Sequence, residues 1–182
     1  MSPRAATAEA IVRFRRNPTR NAAELAYARI VEQARRPAFF TEYGVPDTLD
    51  GRFELICLHA FLYLRRLKGE PDATVLGQQF FDTMFADFDR SLREIGTGDL
   101  SVGRQVQRMA EAFYGRVRAY EDGLALEGAA LAAALERNLY GTVPTAADRP
   151  ERMAIYVRRE AERLAGATPA TLLSGAIGFG AP

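Results

Sequence analysis

Apolar residues recur at three- and four-residue intervals along almost the whole chain, and no long alternating stretch marks a half-buried strand. The spacing predicts a first helix over about Asn21–Arg35, with Leu25, Ala28, Val31 and Glu32 marking its stripe and Pro37 stopping it. Tyr43–Thr48 reads as a turn: Gly44 permits positive φ, and Val45, preceding Pro46, is pushed out of the α region. The next helix, about Leu49–Lys68, is apolar almost all round from Phe53 to Leu67. A helix without a polar face belongs in the middle of a domain. Gly69 and Pro71 end it, with Arg65 and Arg66 at its negative dipole end.

Asp72 is placed to cap a third helix running to about Ile95, on which Phe81, Met84, Phe85, Phe88, Leu92 and Ile95 form one stripe. Its other face sets Asp89 against Arg93 and Arg90 against Glu94 at i,i+4 spacing. Beyond the break at Gly96–Asp99, where Asp99 or Ser101 is positioned as the cap, comes the cleanest period in the chain. Val102, Val106, Met109, Phe113, Val117, Tyr120 and Leu124 share one seam there. Gly103 and Gly115 lie off it and either admit a close neighbour or merely weaken the helix. Further helices are expected over about Leu126–Leu139, with Gly141 at C′, and from Asp148 through Met153, Tyr156, Val157 and Leu164. The tail from Pro169, with Leu172, Leu173, Ile177 and Phe179, is either a short docked segment or a mobile end. No repeat or linker is visible. The expected fold is therefore all-α: one globular domain over residues 21–182, with about six or seven helices around the central apolar one. A basic arm at residues 1–20 precedes it.

Composition agrees, since 48% apolar and 26% charged residues in 182 suit one well-packed domain. The net charge of +1 gives no reason to expect DNA. The charge is uneven, however: Arg4, Arg13, Arg15, Arg16, Arg20, Arg29, Arg35 and Arg36 face only Glu9, Glu24 and Glu32 before residue 37. Arg13, Arg15, Arg16 and Arg20 are candidates to meet an anionic surface such as lipid, ribosomal RNA or an acidic partner; the alternative is a solvated helix face with a frayed end. Cys57 is the only cysteine, which excludes an internal disulfide and fits a reducing compartment. The first residues lack the apolar core of a secretory leader, and the longest apolar run is too short to span a bilayer.

Candidate chemistry is sparse. His59 is the only histidine and sits in the most apolar helix; Cys57, two residues away, cannot share its face, so the pair reads as core rather than metal ligands. Asp82, Asp87 and Asp89 lack the Glu-x-x-His pairs of a di-iron bundle, and Asp87 and Asp89 point about 200° apart on a helix. No P-loop or dinucleotide fingerprint occurs, and Asp99 would repel an anion at the helix start it precedes. Nothing resembles a catalytic constellation, and no cofactor is implied.

Three segments carry a resemblance: Tyr43–Leu55 continued by His59–Leu67, Phe81–Gly96, and Gly98–Arg104 continued by Met109 and Ala112–Arg116. Together they resemble the ubiquinol–cytochrome c chaperone family in its bacterial form, over roughly Leu25–Gly141. The resemblance implies an all-helical, non-enzymatic chaperone for assembly of the cytochrome bc1 complex. It further implies newly made cytochrome b or another bc1 subunit as protein client, a small partner protein, and contact with the ribosome or the inner membrane surface from the cytoplasm. A membrane-protein client calls for an exposed apolar or aromatic groove. Tyr63, Phe80, Tyr114 and Tyr120 are the aromatic candidates, unless the core absorbs them. Asp82, Asp89, Arg90, Arg93, Asp99, Arg104 and Arg108 around the interhelical loop are the charged ones, unless they form a solvated, internally paired face. The other reading is a peripheral membrane- or RNA-binding adaptor acting through the basic arm.

Overall fold

Asn17 and Pro18 open the first helix, α1 (Pro18–Ala34): the Asn17 side chain accepts from the Thr19 N–H at 3.1 Å, and Pro18 stands where a missing N–H leaves no bond unmade. The computed structural model describes residues 17–71, 73–96, 98–126, 128–141, 146 and 148–182, and the side chains of residues 99 and 100 are not among them. Arg13, Arg15 and Arg16 of the basic arm, and the expected cap Asp72, lie outside the described residues. Arg20 falls inside α1, paired with Glu24 at 2.9 Å.

The buried face of α1 is not the expected one. Leu25 is 40% exposed, whereas Ala22, Ala23, Ala26, Tyr27 and Ile30 are buried. Alanines on that face let α1 lie close against its neighbours, and Tyr27 and Ile30 fill the space that remains. After α1 a short helix, α2 (Ala38–Thr41), follows Pro37 and buries Phe39. The turn then forms as expected, with Gly44 at φ 66°.

The remaining helices are α3 (Leu49–Leu67), α4 (Ala73–Glu94), α5 (Asp99–Ala125), α6 (Ala130–Leu139), α7 (Asp148–Ala165) and α8 (Pro169–Leu173). That makes eight among the described residues, two of them very short, and no strand accompanies them. The Thr48 hydroxyl caps α3 by accepting from the Gly51 N–H at 3.1 Å. As its composition requires, α3 is central: it packs on α1, α4, α5, α6 and α7. Around it α1 lies on α4, α4 on α5, α5 on α6, and α6 on α7.

Three expectations at helix ends need correction. Gly98, not Asp99 or Ser101, occupies the N-cap of α5, and the Ser101 hydroxyl donates back to the Gly98 carbonyl at 2.7 Å. The preceding turn leaves Ile95 60% exposed rather than buried at the end of its stripe. Helix α6 starts at Ala130, because α5 runs on to Ala125 and leaves Leu126 exposed at its C-cap. The carbonyls of Gly123, Leu124 and Leu126 there accept from the Arg158 guanidinium, which places a cation at the negative end of α5. Gly103 and Gly115 face open space.

The tail is docked. Thr168 caps α8, Leu172 and Ile177 are buried, and Phe179 meets the His59 ring edge-on at 5.0 Å. Gly180 is held at both ends: its carbonyl accepts from the Gln33 amide at 2.8 Å, and its N–H donates to the buried Glu160 carboxylate at 2.7 Å. His59 belongs to the same network, with Nδ1 2.7 Å from the Leu55 carbonyl and Nε2 2.8 Å from the Tyr156 hydroxyl. Burial holds its pKa down at about 4, so it is a neutral core residue, as expected.

Candidate functional site

Among the described residues the helices border a groove of about 770 Å³, formed by the end of α1, the first turns of α3, the end of α4, the middle of α5 and the end of α6. Each wall follows from a helix period. Asp87, Phe88, Ser91 and Leu92 on α4 and Ile95 just past its end face it; on α5, Gln105, Arg108, Met109, Ala112 and Arg116 do. Spacings of three and four keep each set on one side of its helix.

The walls are substantially apolar. Leu49 is 54% and Ile95 60% exposed, while Phe53 and Met109 are half-buried beside them. Exposed large apolar groups gathered at one concavity mark a binding surface more than a scatter of single ones would. Near its floor Arg116 forms a salt bridge with Glu54, side chains 17% and 8% exposed, and its guanidinium lies 5.5 Å from the Phe53 ring centre. Burial pushes the Glu54 carboxyl above its ordinary range, and the Arg116 guanidinium pulls in the opposite direction. Tyr120, one turn further along α5, is fully buried with its hydroxyl unpartnered among the described residues.

Most of the residues singled out by sequence lie elsewhere. At about 100° per residue, Asp82, Asp89, Arg90 and Arg93 fall on the side of α4 turned away from the groove, and Tyr114 on the far side of α5. Gln78 donates to Asp82 at 2.7 Å, and Arg93 pairs with Asp89 at 2.7 Å, which lowers the Asp89 pKa. Arg90 turns toward Asp87 at 3.4 Å rather than Glu94. Arg104 is exposed and outside the groove; Asp99 begins α5. Only Arg108 reaches the groove wall. Of the four aromatic candidates, Tyr63, Phe80 and Tyr120 are core, while Tyr114 is 60% exposed and stacks on Phe81 at 5.6 Å.

Leu49, Arg35, Arg137 and the Glu54–Arg116 pair line the groove without having stood out along the chain as site residues. The one available signal was Glu54, a carboxylate inside the most apolar helix, which had to find a cation. The described residues hold no group of three or more His, Cys, Asp or Glu side chains that could bind a metal, and no helix among them is long and apolar enough to cross a membrane. What the groove offers chemically is apolar contact and more guanidinium than carboxylate groups.

The family model described as ubiquinol–cytochrome C chaperone matches residues 41–179, so the likeness includes the C-terminal part in which no motif was legible. The crystal structure of the Cbp3 homolog from Brucella abortus superposes with a TM-score of 0.81 at 37% identity, covering 92% of this chain and 94% of that one. Among curated relatives, ubiquinol–cytochrome-c reductase complex assembly factor 1 of Xenopus laevis is 28% identical over 139 residues, 76% of this chain and 70% of that protein. Its Drosophila melanogaster counterpart is 26% identical over 146 residues, 77% and 56% respectively. The chain spans just under half of the Homo sapiens counterpart, at 46%.

Proposed function

The chain belongs to the ubiquinol–cytochrome c chaperone family, and from that premise we propose that it assists assembly of the ubiquinol–cytochrome c reductase (bc1) complex by holding an apolar segment of one subunit in the α3–α6 groove. The observation that carries the groove reading is the exposure of Leu49 and Ile95 in a lining that also holds the half-buried Phe53 and Met109. A newly made membrane subunit such as cytochrome b offers apolar helices that must be kept from aggregating before insertion. Holding requires no catalytic step, and none is assigned. On this reading the chain would work in the cytoplasm against the inner membrane face, where a small partner protein or the ribosome would bring the client to it.

Two further surfaces are offered to that partner: Tyr114, exposed and stacked on Phe81, and the charged side of α4 with Asp82, Asp89, Arg90 and Arg93. The test is bc1 content in membranes of cells lacking the gene, read from haem b spectra and subunit immunodetection. Wild type should restore it, and Leu49→Asp with Ile95→Asp should not, although both positions are exposed and the variant should fold. Normal bc1 levels without the gene would refute the assembly role. Full rescue by the double variant would refute the groove.

A further inference from the structure

Three arginines reach the groove from three helices that are far apart in sequence: Arg35 just past α1, Arg108 on α5 and Arg137 on α6. All three are exposed, and none forms an ion pair among the described residues. The other two groove arginines are already paired, Arg52 with Asp47 at 2.8 Å and Arg116 with Glu54. On the acidic side, Glu54 is held by Arg116, and Asp87 accepts from the Tyr27 hydroxyl at 2.8 Å with Arg90 close by. Three unpaired guanidiniums therefore face one unpaired carboxylate, Asp50. In a chain whose net charge is only +1, this local excess is a property of the site and not of the average surface.

Guanidiniums stay charged at any working pH and their planar forks match carboxylates. The groove wall on α5 runs from Gln105 to Arg116, about 16 Å at ~1.5 Å per residue, or about three turns of a docked helix. A helix with one apolar face would cover Phe53 and Met109, but if neutral it would leave the three arginines unanswered. We infer that the groove selects an amphipathic helical segment whose apolar face is bordered by Asp or Glu, the carboxylates meeting Arg35, Arg108 and Arg137. This rests on the groove reading above and adds the charge of the client to it.

The test uses the full chain and two fluorescent 18-residue helical peptides with the same Leu/Ala face, one bordered by three Glu, its twin by three Gln. Fluorescence anisotropy should show the Glu peptide binding wild type about tenfold more tightly, with the gap closing toward 0.5 M salt. Arg35→Gln, Arg108→Gln and Arg137→Gln together should erase that gap and leave the Gln twin's affinity unchanged; Leu49→Asp with Ile95→Asp should abolish both. Equal affinity of wild type for the two peptides overturns the acidic-client inference, and the groove reading survives if the Asp variant still loses both. Binding of neither peptide overturns both readings. Capture of anionic phospholipid vesicles, with neither peptide bound and the capture lost in the triple-Gln variant, overturns the inference and assigns the arginines to a lipid surface.

Discussion

Replacing Arg116 by Met would isolate the Glu54 carboxylate, and the cost follows from where that carboxylate sits. Removing one partner of a buried ion pair typically destabilises by about 3–5 kcal/mol. Glu54 is 8% exposed, at the buried extreme, while Arg116 at 17% borders the groove and lets some water in. A lone Glu54 has one escape, which is to take up a proton. At pH 7 that costs about 3 kcal/mol, the work of keeping a proton on a group whose ordinary pKa is 4.5, at about 1.4 kcal/mol per pH unit. The penalty of Arg116→Met is therefore about 3 kcal/mol at pH 7 and shrinks as pH falls toward 4.5. The sign is clear: in the variant the folded state keeps a proton that the unfolded chain releases, so stability falls as pH rises. Glu54→Met combined with Arg116→Met removes both charges and should return to within about 1 kcal/mol of wild type. Guanidinium unfolding midpoints at pH 5 and pH 7.5 read both effects. A pH-independent penalty, one below about 1 kcal/mol, or a double variant no better than the single would refute this account of the pair.

His59 supplies an independent pH signature. The unfolded imidazole takes a proton near pH 6.5 and the buried one only near 4, so stability is full above 6.5 and is lost as pH falls from 6.5 to about 4. The loss reaches about 3 kcal/mol, and His59→Gln should flatten that part of the unfolding profile; a constant difference between the two proteins from pH 7 to 4.5 would contradict it. Gly51→Ala reverses a familiar preference. In an ordinary helix the change gains about 1 kcal/mol, but here the new methyl would lie 2.0 Å from the Pro46 carbonyl oxygen, so a net loss of about 1–3 kcal/mol is expected. A raised melting temperature would show that the turn can give way.

The all-helical class, the centrality of α3, the neutral burial of His59 and the starts of α3 and α7 were legible in the chain, because each depends on neighbours within a few residues. Period and caps report local geometry, and Phe53–Leu67 has no polar face to turn outward. The family likeness was legible for a different reason: its motifs are runs of adjacent residues. Which side of α1 is covered was not legible, since a face of alanines is buried only if another helix comes close enough to use it. Nor was the docking of the tail, which depends on Gln33, His59 and Glu160 converging on Phe179 and Gly180 from three helices. The groove was the least legible feature. Its walls come from residues between Ala34 and Gly141, most of them at helix ends, where the packing stripe of a helix runs out and the angle to its neighbours decides exposure. Ile95 belonged to a stripe by periodicity and became a groove wall because α4 ends at Glu94. Arg35, Arg108 and Arg137 are three ordinary surface arginines along the chain, and only the packing of α1, α5 and α6 makes them one site.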